Sequence, residues 1–259
     1  MPVVLYENIE IGDIGPTPSS FIIDDDSTFS IAKKSILDFG KSRGLPIAYK
    51  QEQFGQLIQH ILPIFNAEDK QVSTSSKSTL QLHTETAFHP YKPSFVLLLC
   101  LRGDSQAITT YADIEDIAPK LKTETVELLQ KPFFTTRVDE SFRTNGGKDI
   151  EFTLPILRKN KSSSFDITYD EYFMRGVTRE SQAALDELSD VISESTKEII
   201  LKSGDLLVID NKTTIHGRKP FVAKYDGTDR WVLRLLVIDY AIPYQHLNKN
   251  TIITNFGKF

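Results

Sequence analysis

Residues 230–242 read RWVLRLLVIDYAI, a bulky apolar run broken by two arginines four positions apart. Valine, isoleucine, tryptophan and tyrosine fit a pleated, buried surface, which makes this run the strongest strand candidate in the chain. Side chains alternate along a strand, so Arg230 and Arg234 share a face with Val232 and Leu236, roughly 13 Å apart at ~3.3 Å per residue. A buried guanidinium left without an anion costs several kcal/mol, and no acid sits on that face of the strand. Two readings follow. The arginines point inward and await anionic ligands through paired hydrogen bonds, or they face solvent on the outside of a barrel.

Working outward, SGDLLVIDN (203–211) predicts a turn at Gly204-Asp205 followed by a β run from Leu206 to Ile209. FVLLLCL (95–101) is short, continuous and apolar, as a strand buried on both faces should be. Helical spacing with a Ser/Thr start marks residues 27–43, and Gly44 stops it. Residues 113–130 predict a helix with Asp113 as cap and Pro119 as a break. A further helix from Arg179 to Ser193 gathers Leu185, Leu188, Val191 and Ile192 on one side. Residues 55–64 fit a short strand or edge segment, and EDKQVSTSSKST (68–79) an exposed loop. Neither a GxGxxG nor a P-loop pattern is present, so a doubly wound parallel sheet fits poorly. The pattern predicts a mainly β chain with flanking helices, a barrel or jelly roll in which residues 1–259 form one domain.

Composition narrows the function classes. With 40% hydrophobic and 25% charged residues, the chain of 259 residues can bury an ordinary core without disulfides or structural metal. A formal net charge of -5 argues against a nucleic-acid surface. There is no run of eighteen apolar residues for a membrane span, and MPVVLYENIEIGD (1–13) has no secretory pattern, so a cytoplasmic location is expected. The single cysteine, Cys100, allows neither an internal disulfide nor a cysteine-rich metal site and reads as a small core residue.

Chemistry enters at Leu82-His83-Thr84-Glu85, where an extended backbone would aim the imidazole and the carboxylate to the same side. Among five histidines and 35 acidic residues such a triplet arises readily by chance, and a surface His beside a surface Glu is the plain alternative. His216 follows a buried-strand pattern just before Gly217, where a strand end would present it to a cavity. It could equally be a neutral strand-end histidine bonded to backbone. Together, two histidines and one carboxylate make the facial set of non-haem iron, leaving two positions for a chelating co-substrate and one for dioxygen. His89 reads as structural, His60 and His246 have no evident partner, Asp205 is a turn residue, and Asp210 is a candidate neighbour for His216.

LHTETAFHPYKPSFVLLLCLRGD (82–104) and SGDLLVIDNKTTIHGRKPFVAKYDGTDRWVLRLLV (203–237) closely resemble the clavaminate synthase-like Fe(II)- and 2-oxoglutarate-dependent oxygenases, which include bacterial hydroxylases of free arginine and asparagine. YDEYFMRGVTRESQAALDELSDVI (169–192) resembles them more loosely. The resemblance implies a double-stranded β-helix (jelly-roll) core. It implies His83, Glu85 and His216 as iron ligands, and Arg230 on the distal carboxylate of 2-oxoglutarate with Thr110 assisting and Thr109 as its rival. It further places Arg234 on the α-carboxylate of an amino-acid substrate, Gln59 near its amino group, and Asp170 at its side chain. Thr168 stands where the arginine hydroxylases carry a second acid, which argues against arginine. His60 replaces the acid that usually follows the glutamine. Related halogenases keep a small residue where Glu85 stands, which favours hydroxylation, with desaturation or cyclisation as variants.

The implied reaction is hydroxylation of C3 or C4 of a free L-amino acid with release of succinate and CO2, by an oxidoreductase that acts on small molecules. Three alternatives stand beside it: the same chemistry on a carrier-tethered or peptidyl residue, a non-catalytic jelly-roll binding protein, and a hydrolytic zinc enzyme with the same ligand set.

Overall fold

The computed structural model describes residues 2–20, 30–139, 142, 150–161 and 164–253. In chain order its elements are β1 (Val3–Tyr6), α1 (Ser30–Lys41), β2 (Leu45–Tyr49), β3 (Ile58–Ile61), β4 (Leu80–His83), β5 (Phe95–Arg102) and β6 (Thr109–Asp113). Next come α2 (Ile114–Ile117), α3 (Thr123–Leu129), β7 (Phe134–Arg137), β8 (Glu151–Leu154), β9 (Leu157–Lys159), β10 (Phe165–Ile167), β11 (Arg175–Gly176) and α4 (Arg179–Ser195). The last are β12 (Lys197–Ile199), β13 (Leu206–Asp210), β14 (Thr214–Arg218), β15 (Trp231–Ile238), β16 (Leu247–Asn248) and β17 (Thr251–Ile252).

Two sheets form the jelly roll. The larger runs β1-β13-β5-β15-β2-β17-β16, with β3 also paired to β15, and the smaller runs β12-β6-β14-β4. Parity along the central strands sorts side chains between two cores. On β15, Trp231, Leu233, Leu235 and Val237 enter the outer core, which the buried face of α1 completes through Ala32 and Ile36. Val232, Leu236 and Ile238 enter the inner core with Val96, Leu98 and Cys100 of β5 and Leu207 and Ile209 of β13. This is why FVLLLCL carries no polar alternation: β5 is buried on both faces. A third core lies behind the smaller sheet, where Ala112 and Ile215 meet Ile114 and Ile117 of α2 and Leu185, Leu188 and Ile192 of α4.

Several boundaries move from expectation. The first helix spans Ser30–Lys41, and residues 27–29, where its cap was expected, lie outside the described residues. Gly44 ends the connection with φ +156°, and a Cβ there would meet the Ile238 carbonyl oxygen at 2.1 Å, so only glycine lets α1 close onto β15. Asp113 caps α2 by accepting from Glu115 N at 2.8 Å. Pro119 then falls in a 3-10 turn that separates α2 from α3, so residues 113–130 form two short helices rather than one. The strand expected at 230–242 is confined to β15, and Arg230 precedes it by one residue. The strand expected within 55–64 narrows to β3. Thr178 and Ser181 form a reciprocal capping box on α4. No helix among the described residues is long and apolar enough to cross a membrane.

Candidate active site

His83 ends β4 and pairs directly with His216 on β14, so the register of the smaller sheet sets the two imidazoles side by side. Their ring centroids are 4.7 Å apart. Glu85 follows two residues after His83, on a segment pinned from both sides. Thr84 N donates to the Tyr169 carbonyl at 2.7 Å, and Glu85 N donates to Asn211 Oδ1 at 2.8 Å. Asn211 also donates through Nδ2 to the carbonyls of Glu85 (3.2 Å) and Pro93 (2.9 Å). One candidate ligand atom from each of His83, Glu85 and His216 lies within 4.8 Å of the others.

The protonation pattern suits a metal. His83 Nδ1 is 2.8 Å from the Gln81 carbonyl oxygen, which can only accept, so Nδ1 carries a proton and Nε2 is the ring nitrogen left to face an ion. Burial holds His216 below its ordinary pKa despite the nearby Glu85 carboxylate, so its imidazole is neutral. Burial alone would raise Glu85, but Arg234, His216 and His83 outweigh it and keep the carboxyl ionised. Glu85 Oε2 and His216 Nδ1 are buried without a hydrogen-bond partner, and Glu85 Oε2 lies 3.6 Å from His216 Nε2. Two imidazoles and one carboxylate, with a carboxylate oxygen left over, form a donor set of the non-haem iron type.

The opposite wall comes from the larger sheet. Arg230, Val232 and Arg234 line the same cavity as His83, Glu85 and His216, so the inward reading of the arginines holds. They are only 7% and 6% exposed. Their surroundings differ sharply. Arg234 is enclosed by carboxylates from elsewhere in the chain: Nη1 donates to Glu85 Oε1 at 3.0 Å and Nη2 to Glu52, while Nε donates to Gln59 Oε1 at 2.7 Å. No acid lies on that face of its own strand, as expected, and its carboxylate partners come from other parts of the chain. Burial works against its charge, yet Glu52 and Glu85 outweigh that cost and raise its pKa. Arg230 makes no hydrogen bond or ion pair among the described residues, and burial lowers its pKa. Arg218, on β14, also lines the cavity but is spent on Ser75 and on the Lys219 carbonyl.

Thr110 is corrected. Thr109 lines the cavity opposite Arg218, with its hydroxyl buried and unpartnered, whereas Thr110 pairs with Gly217 and alternates to the other face. Gln59 is buried and reaches the site through Arg234 rather than lining the cavity. Asp170 does line it, bridged to His83 through backbone pairing, but its Oδ1 also accepts from Tyr172 N and Phe173 N at 2.9 Å each. Turn former and cavity acid are thus the same residue. Asp210 serves its own turn by accepting from Lys212 N at 3.0 Å. His60 has a partner after all, accepting from Trp231 Nε1 at 3.1 Å. His89 accepts from Tyr91 N at 2.9 Å, and burial pushes its pKa down to about 3, as befits a structural imidazole.

Three residues had no signal in the sequence. Glu52 stands in KQEQF (50–54), Asn211 in IDNKTT (209–214) and Asp139 in RVDES (137–141), where no periodic pattern marks them out. Glu52 and Asp139 line the cavity. Burial, and then the Asp170 and Glu85 carboxylates, push Asp139 well above the ordinary range.

Residues 24–236 match the family of the taurine catabolism dioxygenase TauD and TfdA. The chain belongs to the TauD/TfdA family. Among curated relatives, this TauD/TfdA-family chain is 31% identical over 233 residues to the L-lysine 3-hydroxylase of Catenulispora acidiphila, a match covering 88% of the chain and 64% of that protein. It is 36% identical over 197 residues to the L-asparagine oxygenase of Streptomyces coelicolor, covering 75% of the chain and 58% of that enzyme. It therefore spans about 60% of the length of these two relatives. Asparagine oxygenase in complex with Fe(II), (2S,3S)-3-hydroxyasparagine and succinate superposes with a TM-score of 0.83 at 30% identity, covering 92% of this chain and 74% of that one.

Proposed function

We propose that the chain is an Fe(II)- and 2-oxoglutarate-dependent hydroxylase that inserts oxygen into an unactivated C–H bond, at C3 or C4, of a free L-amino acid. The observation that carries this reading is the opposition of two structures across one cavity. His83, Glu85 and His216 converge on one side, and the unpaired Arg230 stands on the other.

His83 Nε2, His216 and Glu85 Oε2 are the atoms that would hold the metal, and Arg230 the group that would hold the distal carboxylate of 2-oxoglutarate, with Thr109 Oγ beside it. When bound, the iron and 2-oxoglutarate supply oxidative chemistry in which dioxygen is consumed and CO2 and succinate are released. The protein's share is placement. Asn211 fixes the Glu85 backbone, and the Gln81 carbonyl fixes the His83 tautomer. Arg234 supplies a cation for a substrate carboxylate, while Val232, Leu98 and Ile61 keep that wall apolar. Asp170 and Asp139 line the same cavity and favour a substrate side chain that donates hydrogen bonds, an amide, ammonium or guanidinium. Asp139, from a different loop, adds a second acid to the cavity where position 168 carries Thr168, and its raised pKa lets it donate as well as accept a hydrogen bond.

The relatives named above support an amino-acid substrate, since they are described as acting on lysine and asparagine. Residues 1–259 act as one catalytic unit in this reading, supported by the pairing of β1 and β17, near opposite ends of the chain, into the same sheet. A cytoplasmic location belongs to the same reading, and cell fractionation tests it. The decisive experiment is a screen of the twenty free L-amino acids against protein loaded anaerobically with Fe(II), scoring succinate and a product heavier by one oxygen. Succinate release stimulated by at least one amino acid is the expected result. A screen in which no amino acid stimulates it overturns the proposal.

A further inference from the structure

The buried polar atoms around Arg234 do not pair off. The guanidinium engages one oxygen of Glu52, one oxygen of Glu85 and the carbonyl oxygen of Gln59. Glu52 Oε2 and Gln59 Nε2 remain, both buried and both without a hydrogen-bond partner. An unpaired buried acceptor is costly, so Glu52 Oε2, on a residue that lines the cavity, is completed by a ligand that brings a donor. Glu52 is 7% exposed and lines the cavity together with Arg234 and the metal-ligand candidates.

Its position is built into the backbone. Gln53 and Phe54 both take positive φ, 41° and 58°, in the turn between β2 and β3. Phe54 is left 79% exposed while Glu52 turns inward. The Gln53 side chain clamps the turn to β3, donating to the His60 carbonyl at 3.3 Å and accepting from His60 N at 3.2 Å.

Charge then selects the ligand. With Glu85 committed to a metal, Arg234 and Glu52 sum to zero. A bare carboxylate arriving at Arg234 meets a guanidinium already shared with Glu52 and is repelled by that neighbour. A molecule with an ammonium beside its carboxylate meets neither penalty, because the ammonium donates to Glu52 Oε2 while the carboxylate takes Arg234. Resting on the amino-acid oxygenase reading above, we propose that Glu52 is a specificity-determining residue that accepts the substrate α-ammonium, so that the Glu52–Arg234 pair recognises the zwitterion and rejects Nα-acylated, peptidyl and des-amino acids.

The test uses the full chain loaded with Fe(II) and 2-oxoglutarate. Each free L-amino acid that stimulates succinate release is compared with its Nα-acetyl derivative and with the carboxylic acid lacking the amino group. The wild type is expected to favour the free amino acid by ~10- to 100-fold in kcat/KM, the range of one charge-assisted hydrogen bond. Glu52→Gln should raise KM more than it lowers kcat and narrow that preference, and Glu52→Asp should recover part of it. Equal use of acetylated or des-amino compounds by the wild type overturns the inference without recourse to any variant. An undiminished preference in a folded Glu52→Gln protein overturns it as well. Absence of succinate release with every compound is a different result, the failure of the oxygenase reading itself.

Discussion

Among the described residues Arg230 makes no ion pair, whereas Arg234, four residues on, is wrapped in two carboxylates. On the proposed reading the two guanidinium groups would do different work, Arg230 meeting a dianion and Arg234 a neutral pair of opposite charges. Arg230→Ala is expected to raise the KM for 2-oxoglutarate by ~10- to 100-fold, the worth of one charge-assisted interaction, with a smaller effect on the amino-acid KM. Steady-state kinetics with each co-substrate varied in turn would check it. An unchanged 2-oxoglutarate KM would move the role to Arg218, whose guanidinium lines the same cavity. At this scale the sequence was readable wherever residues meet through a strand. His83, His216 and Arg234 sit on strands, where facing follows from alternation, and Glu85 and Arg230 lie one or two residues beyond a strand end. Glu52, Asp139 and Asn211 were not readable, because a turn can aim a polar side chain inward without leaving any periodic trace. Thr110 shows the cost of an error of one position, since the neighbour of an inward residue on a strand points outward.

Among the elements, the pairing of β14 with β4 matters most, because it brings the two histidines together. The register shifts between His216 and Arg218, where β4 accommodates an extra residue and its backbone crowds Gly217. A Cβ at 217 would stand 2.5 Å from the Leu80 carbonyl oxygen. Gly217→Ala should therefore force β4 away from β14, with loss of a few kcal/mol of stability and of the His83–His216 alignment. Denaturant unfolding and metal titration read those two effects separately, and a variant with wild-type behaviour in both would show the strands to be more yielding than their spacing suggests. The strands β5, β13 and β15 were legible from composition, as was the amphipathic run of α4. The split of α2 from α3 was foreshadowed by Pro119. The small strands β7 to β11 were not, since their two to four residues carry too few alternations to stand out from loops.

Across the molecule, the metal-ligand candidates belong to the smaller sheet and its following loop, and the arginines to the larger. The site exists only where the two layers are held at their proper separation. Divalent metal should stabilise the whole domain by satisfying Glu85 Oε2 and the imidazoles, adding ~2.7 kcal/mol at a concentration one hundred times the dissociation constant. Differential scanning fluorimetry with Fe(II) under anaerobic conditions, or with Mn(II), should show a rise in Tm that a chelator reverses and that Glu85→Ala abolishes. An equal rise in that variant would place the bound ion elsewhere. The strand that joins the layers has a further consequence. Odd positions of β15 fill the helix-facing core and even positions the inner core and the cavity, so the strand works like a reading frame. Gain or loss of one residue along it would send Trp231 and its companions into the catalytic space and both guanidiniums into oil. Change in the cavity lining is thereby steered away from β15 and toward the bends that present Glu52, Asp139 and Asp170, where length can drift without shifting the frame.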